Sequence, residues 1–212
     1  MLITHILLVR HGETEWNRIR RFQGRADLPL NEQGRRQAEA LALALKDEPL
    51  TAIYSSPLLR AKETAELIKT FHPLVPLYED GGLIEMDLGD LDGVEASKWR
   101  SRYPDLVEVW RSRPGSMRMP GGESLQEVQA RAINTMERIA NLYLPGSSLL
   151  LCSHNFVNRT ILCFALGISL DRFRDVQQDP AALNVLCRKG EQWIAELIND
   201  VSYLKGHEAP SA

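Results

Sequence analysis

Two histidines in this chain each stand at or just beyond the end of an apolar run. The first run, Ile3 to Val9, leads into Arg10-His11-Gly12, and the second, Ser147 to Cys152, leads into Ser153-His154. An imidazole can act as a nucleophile or carry a proton near neutral pH. One histidine at a strand end carries little weight. Two at the ends of neighbouring parallel strands would share a crevice, because ligands of open α/β sheets sit beyond the carboxyl ends of the strands. Arginines accompany them. Arg10 adjoins His11, and Arg60 falls in the first turn of a helix that follows the strand ending at Tyr54. A guanidinium fork matches phosphate oxygens, and a helix N-terminus adds N–H groups and a favourable dipole. Glu85, in the stretch LIEMDLG (83–89), would complete the set with an acid. Apolar surroundings raise a carboxyl's pKa and suit it to donate a proton near neutrality. The other histidines, His5, His72 and His207, read as structural or incidental. No His-x-x-x-His or Asp/His cluster points to a metal hydrolase.

These residues need a scaffold. The 212 residues are 44% hydrophobic and 25% charged, with a net charge of −3. That composition suits one globular domain spanning 1–212 with a sizeable core. It offers no basic field for nucleic acid, so any anion must be gripped locally. The cysteines, Cys152, Cys163 and Cys187, form no Cys-x-x-Cys pair and read as reduced, buried thiols. Met1 to Val9 has no basic leader, and Thr160 to Leu170 is too short to span a bilayer. The expectation is a cytoplasmic protein with no membrane partner.

The first apolar run reads as a central strand. A helix starts after Leu30 with Asn31 as N-cap and ends by Pro49. Leu50 to Tyr54 is a second strand. Ser56-Pro57 reads as an N-cap followed by proline at the first helical position, opening a helix to about Phe71. Leu74 to Tyr78 is a third strand. Between Gly81 and Gly122 the pattern loosens, with helical pieces at Val94 to Tyr103 and Asp105 to Arg111. Ser124 and Glu127 form a capping box for a helix to about Tyr143. Ser147 to Cys152 is a strand and Phe156 to Leu166 a helix. Leu183 to Cys187 and Trp193 to Leu197 form a final antiparallel pair. The polar tail from about 202 to 212 reads as frayed. Alternating strands and helices predict a three-layer α/β/α fold around a mostly parallel sheet, with a short helical insertion at about 86–122 over the site.

The chain resembles the histidine phosphatase superfamily, which includes cofactor-dependent phosphoglycerate mutase. The stretches that carry the resemblance are LLVRHGETEWN (7–17), RFQGRADLPLNEQGRRQA (21–38), IYSSPLLRAKETAELI (53–68), LIEMDLGDLDG (83–93), PGGES (120–124) and LLLCSHN (149–155). The resemblance implies a phosphoglycerate mutase-like fold and a role for each matching position. His11 would be the nucleophile that becomes phosphohistidine. Arg10, Arg60 and His154 would hold the phosphoryl oxygens, with Asn17 adding a hydrogen bond. Glu85 would be the general acid and then the base. Gln23 and Gly24 match the loop that borders the substrate. Such a site needs no metal or cofactor, because arginine and histidine supply the positive charge.

Two departures bear on the substrate. The family usually has glycine after the second histidine, and here Asn155 stands there. Asparagine keeps the backbone N–H and tolerates the left-handed region, so the change reshapes the pocket together with Phe156. The family's mutases carry a longer segment after the acid. The shorter cover here favours water, hence hydrolysis of a small phosphomonoester. Arginines of the insertion, Arg100, Arg102, Arg111, Arg113 and Arg118, allow two readings: a lid gripping a second anionic group, or a solvated face beside packed tryptophans. A mutase and an idle phospho-ligand-binding protein remain as alternatives. An edge strand near 183–197, or the insertion, leaves a homodimer open.

Overall fold

The computed structural model describes residues 4–205. Among these, six strands form one sheet: β1 (His5–Arg10), β2 (Leu50–Ser55), β3 (Leu77–Glu79), β4 (Ser148–Ser153), β5 (Leu183–Lys189) and β6 (Gln192–Asp200), in the order β3-β2-β4-β1-β5-β6. The pairs β2–β3, β2–β4 and β1–β4 are parallel, and β5 and β6 run antiparallel along one side. The helices are α1 (Glu15–Arg18), α2 (Glu32–Ala44), α3 (Leu59–Lys69), α4 (Ala96–Arg102), α5 (Pro104–Ser112), α6 (Leu125–Ala140) and α7 (Asn155–Ala165).

The layers follow from the side-chain alternation of a strand. On β1, Ile6 and Leu8 pack into one cluster with Val128, Met136 and Ile161 of α6 and α7. Leu7 and Val9 pack into the other with Leu41 of α2 and Ile68 of α3. Burial on both faces explains why the strand reads as a continuous apolar run. The three-layer, mostly parallel fold is as expected.

Several local expectations shift. Leu74 is 97% exposed, and the third strand covers only Leu77–Glu79, where Ile53 first meets Leu77 across the ladder. Ser56 does not cap α3. That helix begins at Leu59 with Leu58 at its N-cap and no side-chain cap bond. The capping box of Ser124 and Glu127 is present. The start of the expected tail is ordered as a short 3-10 turn, Ser202–Leu204, and Tyr203 packs on the core and bonds the Ala181 carbonyl. Its remainder, with His207, lies outside the described residues, as does Ile3 of the first run. No described helix is long and apolar enough to cross a membrane.

The insertion is fastened by aromatic rings. Phe22 meets Trp99 at 5.1 Å between centroids, Trp99 meets Trp110 at 6.0 Å, and Trp110 meets Phe156 of α7 at 6.0 Å. Two glycines set the turn after β1. A Cβ on Gly12 would lie 2.3 Å from the Gly34 carbonyl oxygen, and one on Gly34 2.0 Å from the Glu13 oxygen. Backbone presses on backbone there, and any side chain would force the turn away from α2.

Candidate active site

The register of β1 and β4 makes the site. Arg10 pairs with Ser153 across the ladder, so His11 and His154 are the next residues on adjacent parallel strands. The His11 N–H donates to the Ser153 carbonyl at 3.0 Å, and the two imidazole centroids lie 5.1 Å apart.

His11 Nδ1 donates to the Gly12 carbonyl at 2.6 Å. Its Nε2 therefore carries the lone pair, and it accepts from Arg60 Nε at 3.3 Å. Burial, with Arg60 and Arg10 adding repulsion, holds the ring well below the ordinary histidine pKa, hence neutral. His154 is likewise depressed by burial first, then by Arg60. Its Nε2 lies 2.7 Å from Ser56 Oγ, and its Nδ1 is buried without a partner.

Arg60 is fully buried. It donates to the Ala26 carbonyl at 2.8 Å and the Gly24 carbonyl at 2.7 Å. Those carbonyls are in turn held from the insertion, because the Asp92 carboxylate accepts the Gly24 and Ala26 N–H groups, each at 2.9 Å. Gly24 thus serves Arg60 through its backbone rather than facing the cavity. Gln23 bridges inward: in the amide orientation that satisfies every partner, its nitrogen donates to Thr14 Oγ1 at 2.5 Å and its oxygen accepts from Arg60 at 3.1 Å. Asn17 belongs to a capping box at α1 with Thr14, whose N–H donates to its Oδ1 at 3.2 Å. Asn17 also lines the cavity.

Glu85 is 2% exposed. One oxygen accepts the Met86 N–H at 2.9 Å and the other the Phe156 N–H, in the first turn of α7, at 3.2 Å. Burial raises its pKa above the usual carboxylate value, against those hydrogen bonds and the pull of Arg60 and Arg10. Arg131 of α6 clamps the segment around it, donating to the Gly82, Ile84 and Glu85 carbonyls. The Glu123 carboxylate accepts Arg131 Nε at 2.9 Å. Arg10 donates to the Gln178 carbonyl at 2.5 Å and keeps a buried Nε without a partner. Burial lowers its pKa to about 10.

A cavity of about 270 Å³ opens onto this cluster. Arg10, His11, Asn17, Gln23, Glu85 and Asn155 line it, all named from sequence. Arg60 and His154, both 0% exposed, lie behind the lining. The wall also holds residues given no role from sequence, namely Arg21, Phe22 and Arg159, together with Trp110 and Phe156. None of the insertion arginines lines it, and its tryptophans pack against the core. Of the two readings of those arginines, the solvated face beside packed tryptophans fits this cavity, to whose wall the insertion contributes Trp110. Arg131 and Asp92 also went unassigned, because nothing local marks a side chain that holds a distant backbone.

The arrangement offers a neutral imidazole lone pair, two guanidiniums, an unpartnered imidazole nitrogen and a buried carboxyl of raised pKa. That is equipment for phosphoryl transfer. Comparison with known proteins agrees. The family model of the histidine phosphatase superfamily (branch 1) matches residues 6–201. Phosphoserine phosphatase 1 of Hydrogenobacter thermophilus is 35% identical over 181 residues, 85% of each chain. A 2,3-bisphosphoglycerate-dependent phosphoglycerate mutase of Gloeobacter violaceus is 35% identical over 161 residues, 74% of this chain and 73% of that one. The solved structure of Bacillus stearothermophilus YhfR superposes with a TM-score of 0.89 at 32% identity, covering 95% of this chain and 99% of that one. Histidine pair, fold and matched length converge: the chain belongs to branch 1 of the histidine phosphatase superfamily and is a phosphoric monoester hydrolase.

Proposed function

We propose that the protein is a metal-independent phosphomonoesterase that hydrolyses a small phosphorylated metabolite through a phosphohistidine on His11. The observation that carries this reading is the His11 tautomer. With Nδ1–H on the Gly12 carbonyl, Nε2 presents its lone pair toward Arg60, which the arriving phosphoryl oxygens would take over as a donor.

In the first step His11 Nε2 forms the N–P bond as the P–O bond to the leaving group breaks. Arg10 and Arg60 neutralise the phosphoryl oxygens. His154 contributes from Nδ1: if the Ser56 hydroxyl donates to Nε2, the proton rests on Nδ1 and that nitrogen can donate to phosphate. Glu85 gives its proton to the departing oxygen. In the second step Glu85 takes a proton from water, the water oxygen bonds to phosphorus, and His11 leaves as the neutral imidazole. The chain's own cations supply the positive charge, and among the described residues no group of three or more His, Cys, Asp or Glu is placed to hold a metal ion.

The mutase reading shares the first step and has a named relative in its favour. The decisive experiment is phosphate release from a panel of phosphomonoesters in chelator, for wild type and His11→Ala, with phosphoglycerate isomerisation assayed in parallel. Chelator-resistant release that disappears in His11→Ala is the expected result. Isomerised product without release overturns hydrolysis in favour of the mutase. Neither product would leave a phospho-ligand-binding protein.

A further inference from the structure

The cavity over His11 holds two cations that the phosphoryl steps leave unused, Arg21 and Arg159, and of the two only Arg159 has no ion-pair partner among the described residues. Arg159, in the second turn of α7, lines it. Its guanidinium lies over the Phe173 ring, 5.3 Å from the centroid. Its Nε is buried without a partner. Among the described residues it forms no ion pair and no side-chain hydrogen bond, and its neighbours act on it only through space. A partly buried charge held without a counter-ion is costly, and an anion arriving beside it recovers that cost.

The other candidates are spoken for. Arg21 also lines the cavity and its Nε is likewise buried without a partner, but its guanidinium pairs with Glu95 at 3.6 Å and lies over the Trp16 ring. Arg118 holds the Gly122 carbonyl and Glu127. Arg10 and Arg60 belong to the phosphoryl end. The cavity wall also carries the aromatic rings of Phe22, Trp110 and Phe156, and the volume of about 270 Å³ admits only a short molecule.

We propose that Arg159 is a specificity residue that receives a carboxylate carried by the leaving group of a small phosphomonoester. The proposal rests on the phosphatase reading for what lies at the phosphoryl end. A planar guanidinium on an aromatic face suits a planar carboxylate, which it can grip through two N–H donors.

The test uses a matched pair. Phosphoethanolamine is phosphoserine without its carboxylate. Calorimetric binding of both is measured to the full chain carrying His11→Ala, alone and combined with Arg159→Met or Arg159→Lys. The parent is expected to hold phosphoserine about 10- to 100-fold more tightly, the usual worth of a hydrogen-bonded charge pair. Arg159→Met should erase that preference while phosphoethanolamine binding changes by less than about 3-fold, and Arg159→Lys should keep part of it. Unaltered phosphoethanolamine binding also shows that the variant folds. A parent without preference overturns the proposal. So does a variant that keeps the preference, or one that weakens both ligands equally, which would make Arg159 a neighbour of Glu85 and nothing more. Phosphate release by wild type is scored separately. A preference without release leaves the subsite standing and removes the phosphatase reading.

Discussion

The rings of His11 and His154 stand 5.1 Å apart because Arg10 and Ser153, the residues just before them, are paired across β1 and β4. Two imidazoles in one buried place must both stay neutral, and both are depressed well below the ordinary histidine pKa. The unfolded chain takes up protons on them below about pH 6.5 while the folded chain does not. Their contribution to stability is therefore present above about pH 6.5 and lost as pH falls toward their folded values. Glu85 acts in the opposite sense: its raised folded pKa gives stability below about 4.5 that is lost as pH rises through the folded value. Between pH 7 and pH 5 the urea midpoint should fall. His154→Gln should flatten that slope, each proton taken up by the unfolded chain alone being worth about 1.4 kcal/mol per pH unit. A slope unchanged in His154→Gln would show that His154 titrates normally.

Glu85→Gln separates proton donation from the rest of the site. With an alkyl phosphate, whose leaving oxygen needs a proton, kcat should fall about 10²- to 10⁴-fold. With p-nitrophenyl phosphate, whose leaving group departs as a stable anion, the fall should be far smaller. Equal losses on both substrates would remove Glu85 as the acid.

Asp92 does not line the cavity, yet it holds the N–H groups of Gly24 and Ala26, whose carbonyls hold Arg60. Asp92→Ala should cost about 1.5–3 kcal/mol of stability through the lost charged hydrogen bonds. Its KM should rise while the pH profile keeps its shape, because Arg60 is misplaced and no titrating group is removed. Asp92→Asn, which keeps one acceptor, should lie between. Stability loss with unchanged KM would limit Asp92 to a structural role.

Gly34→Ala should destabilise by about 1–3 kcal/mol, since the added carbon meets backbone that cannot yield without moving the His11 turn. Thermal denaturation reads this as about 2–4 °C per kcal/mol for a chain of this size. Gly81→Ala, which meets nothing within 4 Å, is the control and should be near neutral.

What the sequence disclosed follows from where the physics is local. His11 and His154 were legible because a doubly buried strand is an unbroken apolar run, and its polar end marks where the sheet opens. The capping box of Ser124 and Glu127 was legible because both partners lie within one turn. Ser56 misled for the same reason: it has the chemistry of an N-cap and its hydroxyl does accept the Leu58 N–H, but the helix starts only at Leu59, and the same hydroxyl meets His154, far away in sequence. Leu74 misled because β propensity says nothing about where a neighbouring strand begins. Arg159 carries no mark in the sequence at all. Its place in the cavity depends on how Phe173 and Trp110 pack around α7, and only the assembled fold decides that.

The pairing of β1 with β4 also sets when the protein can first work. His11 is made early in synthesis, and His154 follows only after the fourth strand. The N–H of Phe156 that holds Glu85 comes later still. A nascent chain halted before β4 would have its nucleophile on an unpaired strand, with no second imidazole and only one of the two N–H groups that hold the acid. Closing that contact spans most of the chain, which makes it slow among folding events. Recovery of turnover after dilution from denaturant would therefore time the docking of β4 against β1, rather than the collapse of either half.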